Sequence, residues 1–245
     1  MELLICEEML LLALDGEKGG TTWLSGWTAL TGGVLVDAIA AGAVTVEDET
    51  LRPGEEPAHP LLRRVREAVA AEGQPRTVGD WVQRLPIVLD PLVEAVAARL
   101  VEDGVLGEEH GTILGLIPTT RFPEVDPTAE QVLRTRLRSV LVQGAEPSPH
   151  DLLLIALVEP AGLLATATGE DERAVRRAAR KRGAELAERA TTDPDGGAAV
   201  AAVSSVTSGA ALAAMMGAVV ATTAAHTSTT TTSTSTSTST SPTED

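Results

Sequence analysis

Few side chains in this chain could do chemistry, and their spacing argues against most of it. The four histidines, His59, His110, His150 and His226, lie far apart, and none stands at a metal-ligand spacing. Cys6 is the lone cysteine, so neither a disulfide framework nor a cysteine metal site can form within the chain. It falls in the apolar run of residues 3–14 and reads as a small buried hydrophobe. The glycine pairs at 19–20, 32–33 and 196–197 lack the Lys-Ser/Thr or the strand context of a phosphate loop or dinucleotide fingerprint. No nucleophile elbow occurs. The adjacent acids Glu7-Glu8 and Glu55-Glu56 read as solvated surface pairs. These patterns assign no catalytic residue, no metal site and no cofactor, and they point to a binding protein rather than an enzyme.

Charge narrows the partners. The net charge is −16, from 19 basic and 35 acidic residues, and a nucleic-acid binder needs a dense basic footprint instead. The basic residues are nevertheless clustered. Arg173, Arg176, Arg177, Arg180, Lys181, Arg182 and Arg189 crowd one predicted helix. One reading is a solvated face paired with Glu170, Asp171, Glu172, Glu185 and Glu188. The other is a patch that faces an anion or a membrane.

The elements that must carry these residues are mostly helical. A hydrophobic helix that stops on a glycine and turns into a short strand occurs twice, first at Gly42 before residues 43–47 and again at Gly104 before a strand from Gly111. A glycine just past the last apolar-periodic residue closes a helix in the left-handed conformation, and the alternating residues beyond it suit a half-buried strand. Thr77 and Thr128 are expected helix N-caps, and Pro86 and Pro91 are expected to punctuate the chain between helices. Apolar residues make up 43% and aromatics only 2%, so the core is mostly Leu, Val and Ala. The predicted fold class is mainly α: a single globular helical domain over residues 1–190 with short β-hairpin or wing elements. An Ala-rich helix over 191–226 is expected to dock on it, followed by a disordered Thr/Ser tail over 227–245. No basic leader precedes the first helix, and a lone cysteine fits a reducing compartment, so a cytoplasmic location is expected. Ala and Arg richness with little Lys suggests a high-GC bacterial gene.

Several strings, in consistent order over roughly residues 1–190, resemble the Golgi phosphoprotein 3 family. They are Glu7-Glu8-Met-Leu-Leu-Leu-Ala-Leu14, Trp23, Gly33-Val-Leu-Val-Asp-Ala38 with Gly42, Thr77-Val-Gly-Asp-Trp81, Leu100-Val-Glu-Asp-Gly-Val-Leu106 and Thr119-Thr120. The resemblance implies a mainly helical peripheral membrane protein that binds phosphatidylinositol 4-phosphate or another anionic headgroup. In the family, headgroup binding uses one tryptophan and three arginines. Here Trp23 matches the tryptophan, while Thr31, Asp90 and Val93 stand where the arginines would be. Arg84, Arg99 and Arg121 are possible substitutes. The family's inserting β-hairpin maps to residues 109–120, with Ile113, Leu114, Leu116 and Ile117 as its membrane-touching residues. The implied partners are an anionic phospholipid surface on the inner face of the membrane and a second copy of the chain through the hairpin. The alternative is a soluble cytoplasmic adaptor that keeps the fold and has lost the headgroup site.

Overall fold

A helix buried on every side has no face to offer water, and α1 (Ile5–Ala13) is such a helix: all nine of its residues are buried. The structure, a computed structural model, describes residues 3–14, 26–113, 117–168 and 173–191, and of these leaves undescribed the side chains of 26, 27, 113, 117, 118 and 191. Around α1 come α2 (Gly26–Ala40), α3 (Pro60–Ala71), α4 (Val78–Val88), α5 (Leu92–Glu102), α6 (Thr128–Leu141), α7 (Pro149–Val158), the short α8 (Leu164–Thr168) and α9 (Arg173–Thr191). Helices α2, α5, α6, α7 and α8 all pack on α1. At the α1–α2 crossing Gly33 lets the backbones approach closely, since a Cβ there would meet Cys6 Cα at 3.2 Å and Met9 Sδ at 3.1 Å. Cys6 is fully buried, as its apolar setting suggests.

Two antiparallel pairs interrupt the helices, β1 (Val44–Glu47) with β2 (Thr50–Pro53) and β3 (Glu109–Ile113) with β4 (Ile117–Arg121). The mainly helical domain with short hairpins read from the sequence is therefore the architecture that forms. Both closing glycines behave as expected, with φ of +67° at Gly42 and +74° at Gly104. Thr77 caps α4 through a reciprocal box in which its hydroxyl accepts from the Asp80 amide at 3.2 Å.

Other expectations need correcting. Thr128 is not a cap: Pro127 holds that position and the Asp126 carboxylate accepts the Thr128 amide at 2.9 Å. Pro86 does not stop a helix, because α4 runs through it to Val88. The first strand has a partner that the sequence reading lacked, since Leu51 and Arg52 return along β1 as β2. No described helix is long and apolar enough to cross a membrane. The described residues belong to the first of two units, Met1–Ser208. The helix expected over 191–226 and the tail over 227–245 lie outside the described residues, save for residue 191 at the end of α9.

Candidate functional site

The second hairpin is held at its root, and the described residues of its first strand are exposed. Val105, Leu106 and Phe122 are buried at the base, where Leu106 bridges to Glu124 and Gly107 donates to the Pro123 carbonyl at 2.8 Å. Beyond that base the strands run in register from Glu109 opposite Arg121 to Ile113 opposite Ile117. Glu109, His110, Gly111, Thr112 and Arg121 are all exposed, and the two strands pack chiefly on each other. Leu114 and Leu116 lie outside the described residues, as do the side chains of Ile113 and Ile117. Val125, against Gly107 at the root, leaves 64% of its surface exposed. Glu124 is half-buried there. Burial and the neighbouring Glu130 carboxylate raise its pKa to about 7, with Arg134 acting in the opposite direction.

The headgroup positions suggested by the resemblance do not converge on a cationic pocket. Trp23 lies outside the described residues. Thr31 is fully buried within α2, so its side chain faces protein rather than a ligand. Asp90 is exposed beside Pro91, and Val93 is half-buried against the core. Of the possible substitutes, Arg84 is committed to Glu72 at 2.9 Å and Arg99 to Asp103 at 3.3 Å. Arg121 is exposed on β4. The three arginines stand on three different elements.

A buried set of charges at the start of α1 was missed by sequence reasoning. Glu7 and Glu8 are not a solvated pair; they are 0% and 3% exposed. Glu7 accepts the Leu4 amide at 2.8 Å, and its other oxygen lies 3.2 Å from His59 Nε2. Asp37, reaching over from α2, accepts the Ile5 and Cys6 amides at 2.9 Å each. Glu7 and Asp37 together thus satisfy amides that begin a helix. Glu8 takes Arg136 on both oxygens, at 2.8 and 2.7 Å, and His150 Nε2 at 2.9 Å. Arg136 also reaches Asp151 at 2.7 Å. The signal that could have found this was the helix itself: acids in a segment with no polar face must be buried, and buried acids must be paired.

Burial pushes the Asp37 carboxyl up from 3.8 to about 6, against the two amides that favour its charged form. The Glu8 hydrogen bond raises His150, outweighing its partial burial. Burial, with Asp37 and Glu7 close by, pushes the Cys6 thiol well above its ordinary value. Two cavities open beside this cluster. One, of about 690 Å³, is lined by Leu3, Asp37, His59, Arg99, Asp103 and His150 among others. The second, of about 590 Å³, includes Glu8, Arg136 and Ser148. Within the cluster each carboxylate has a hydrogen-bond or ion-pair partner, and the Ser148 hydroxyl is engaged with Asp151 at 2.6 Å.

The basic helix α9 divides into two sets. Lys181 pairs with Glu185, Arg189 with Glu146, and Arg182 donates to the carbonyls of Val140 and Ala145 at the end of α6. Arg173, Arg176, Arg177 and Arg180 instead line a groove of about 500 Å³ with Leu164, Ala165, Thr168 and Ala179. Of the acids expected to pair with this helix, Glu170, Asp171 and Glu172 lie outside the described residues.

Compared with known families, residues 5–225 match the family model described as Golgi phosphoprotein 3 (GPP34). No curated protein matches the chain.

Proposed function

Because the chain belongs to the Golgi phosphoprotein 3 family over residues 5–225, we propose that it is a peripheral protein that docks on anionic phospholipid surfaces. Phosphatidylinositol 4-phosphate is the headgroup the family suggests. The observation that carries this reading is the β3–β4 hairpin: a rooted base, an exposed first strand, and the sequence Ile113-Leu114-Gly115-Leu116-Ile117 that joins the two strands. An aliphatic tip entering the acyl boundary supplies hydrophobic affinity, roughly 1.5–3 kcal/mol for each leucine or isoleucine fully buried. Arg121 on the hairpin and Trp23 near the start of α2 would add interfacial contacts at headgroup depth. The buried acid–histidine–arginine cluster is a device for holding α1 in place and not a catalytic centre. An exposed strand edge also suits pairing with a second copy on the membrane.

A second reading, the adaptor that has lost the headgroup site, draws on one observation. Thr31 is sealed inside α2, and acid or aliphatic groups stand at the other two arginine positions. Flotation of the full chain with phosphatidylcholine vesicles, plain or doped with phosphatidylserine or phosphatidylinositol 4-phosphate, separates the two. Membrane docking through the hairpin requires recovery with doped vesicles and a loss of about tenfold or more in Leu114→Asp and Leu116→Asp. Absence of flotation at low salt, where attraction to anionic lipid is strongest, supports the adaptor.

A further inference from the structure

The groove between α8 and α9 is used by neither the hairpin nor the cluster at α1. Its four arginines, 173, 176, 177 and 180, fall at i, i+3, i+4 and i+7, which places them on one helical face. Like charges at these spacings repel along a helix, yet this chain of net charge −16 concentrates them here. The remaining cations of α9 are accounted for by Glu185, Glu146 and the α6 carbonyls. Among the described residues, no ion pair or hydrogen bond joins the four groove arginines to a partner. Sorting by partner and sorting by position therefore pick out the same four residues.

The floor beneath them is apolar and closed: Leu164, Thr168 and Ala179 are buried, and the Thr168 hydroxyl is turned inward to the Leu164 carbonyl at 3.0 Å. The volume, about 500 Å³, suits a small molecule. Guanidinium groups recognise phosphate by bidentate, charge-assisted hydrogen bonds, and four positive charges match two phosphate groups of roughly −1.5 to −2 each. From four arginines that line one groove on one helical face we infer that the α8–α9 groove binds a compact anion carrying two or more phosphate groups, either free in solution or displayed as a lipid headgroup. The site lies on helices other than those of residues 31 and 93 and away from residue 90 between α4 and α5, and it does not depend on the hairpin reading.

The test is a titration of the full chain with inorganic tripolyphosphate at low ionic strength, followed by calorimetry and by the shift in thermal midpoint. The wild type is expected to bind and to gain thermal stability. Arg176→Gln/Arg177→Gln is expected to bind ~10-fold or more weakly while melting at the unliganded wild-type temperature. Lys181→Gln, an exposed charge on the same helix with its own partner, leaves binding unchanged. So does Leu114→Asp, which keeps this result separate from the fate of the hairpin. No binding by the wild type, or an equal loss in Lys181→Gln, overturns the site. Flotation on phosphatidylcholine vesicles bearing phosphatidylinositol 4,5-bisphosphate then identifies the source. Weaker flotation of the double variant supports a headgroup, and unchanged flotation with lost tripolyphosphate binding supports a soluble ligand.

Discussion

The two hairpins begin alike and end differently. Each follows a helix closed by a left-handed glycine, Gly42 before β1 and Gly104 ahead of β3. The first is clasped to the body. Val44 and Leu51 are buried, β1 and β2 pack on α3, and the Leu51 amide donates to the Arg76 carbonyl at 3.0 Å. Below its turn, the Val78 amide donates to the Glu49 carbonyl at 3.2 Å, tying it to the start of α4. The second hairpin keeps its buried residues at the root, in Val105, Leu106 and Phe122, and leaves Glu109 to Thr112 in solvent. The lesson is that the helix–glycine–strand signal specifies a hairpin but not its role. What decides is whether the returning strand delivers an apolar side chain to the core, as Leu51 does.

That contrast can be broken first by deletion of side chains. Leu51→Ala should cost about 2–4 kcal/mol of unfolding free energy, a core truncation, whereas Thr112→Ala on the free hairpin should change it by about 0.5 kcal/mol or less. Chemical denaturation of both variants reads the difference. Equal costs would mean that the second hairpin is also part of the body.

Acid titration sharpens the body side of the comparison. An acid whose folded pKa lies above its unfolded one stabilises the fold while protonated, so the Asp37 contribution is complete below pH 3.8 and is lost as pH rises through about 6. The loss amounts to about 3 kcal/mol. His150 acts in the same sense, its contribution being present below 6.5 and lost as pH rises through its raised folded value. Urea unfolding across this range should show stability falling toward neutrality, and Asp37→Asn should flatten the slope. An unchanged slope in that variant would remove Asp37 from the account. A smaller effect than the Leu51 truncation is common to both hairpins: Gly42→Ala and Gly104→Ala each face open space but a left-handed φ, so each should cost about 1 kcal/mol.

Much of this was legible locally. The left-handed glycines and the Thr77 cap follow from residues a few places apart, while the span of the second hairpin came with the family resemblance. The partners of α1 were not, because the contacts that define them join residues 52, 128 and 142 positions apart, from Glu7 to His59 and from Glu8 to Arg136 and His150. Adjacency made Glu7 and Glu8 look like surface, while the unbroken apolar run around them said otherwise. At the candidate sites, the four-arginine face of α9 could be read as a period, but only the fold shows that Lys181, Arg182 and Arg189 are engaged elsewhere.

The hairpin's role is most directly tested by placing an environment-sensitive fluorophore on it. Cys6 is fully buried and its thiol is held protonated, so an introduced cysteine can be labelled selectively. A label at Leu114→Cys should shift to the blue and gain protection from aqueous quenchers when vesicles containing phosphatidylinositol 4-phosphate are added. A label at Thr45→Cys, exposed on the clasped hairpin, should not respond. Vesicle-bound protein in which the label at position 114 stays as wet as the one at 45 would contradict membrane docking through this hairpin.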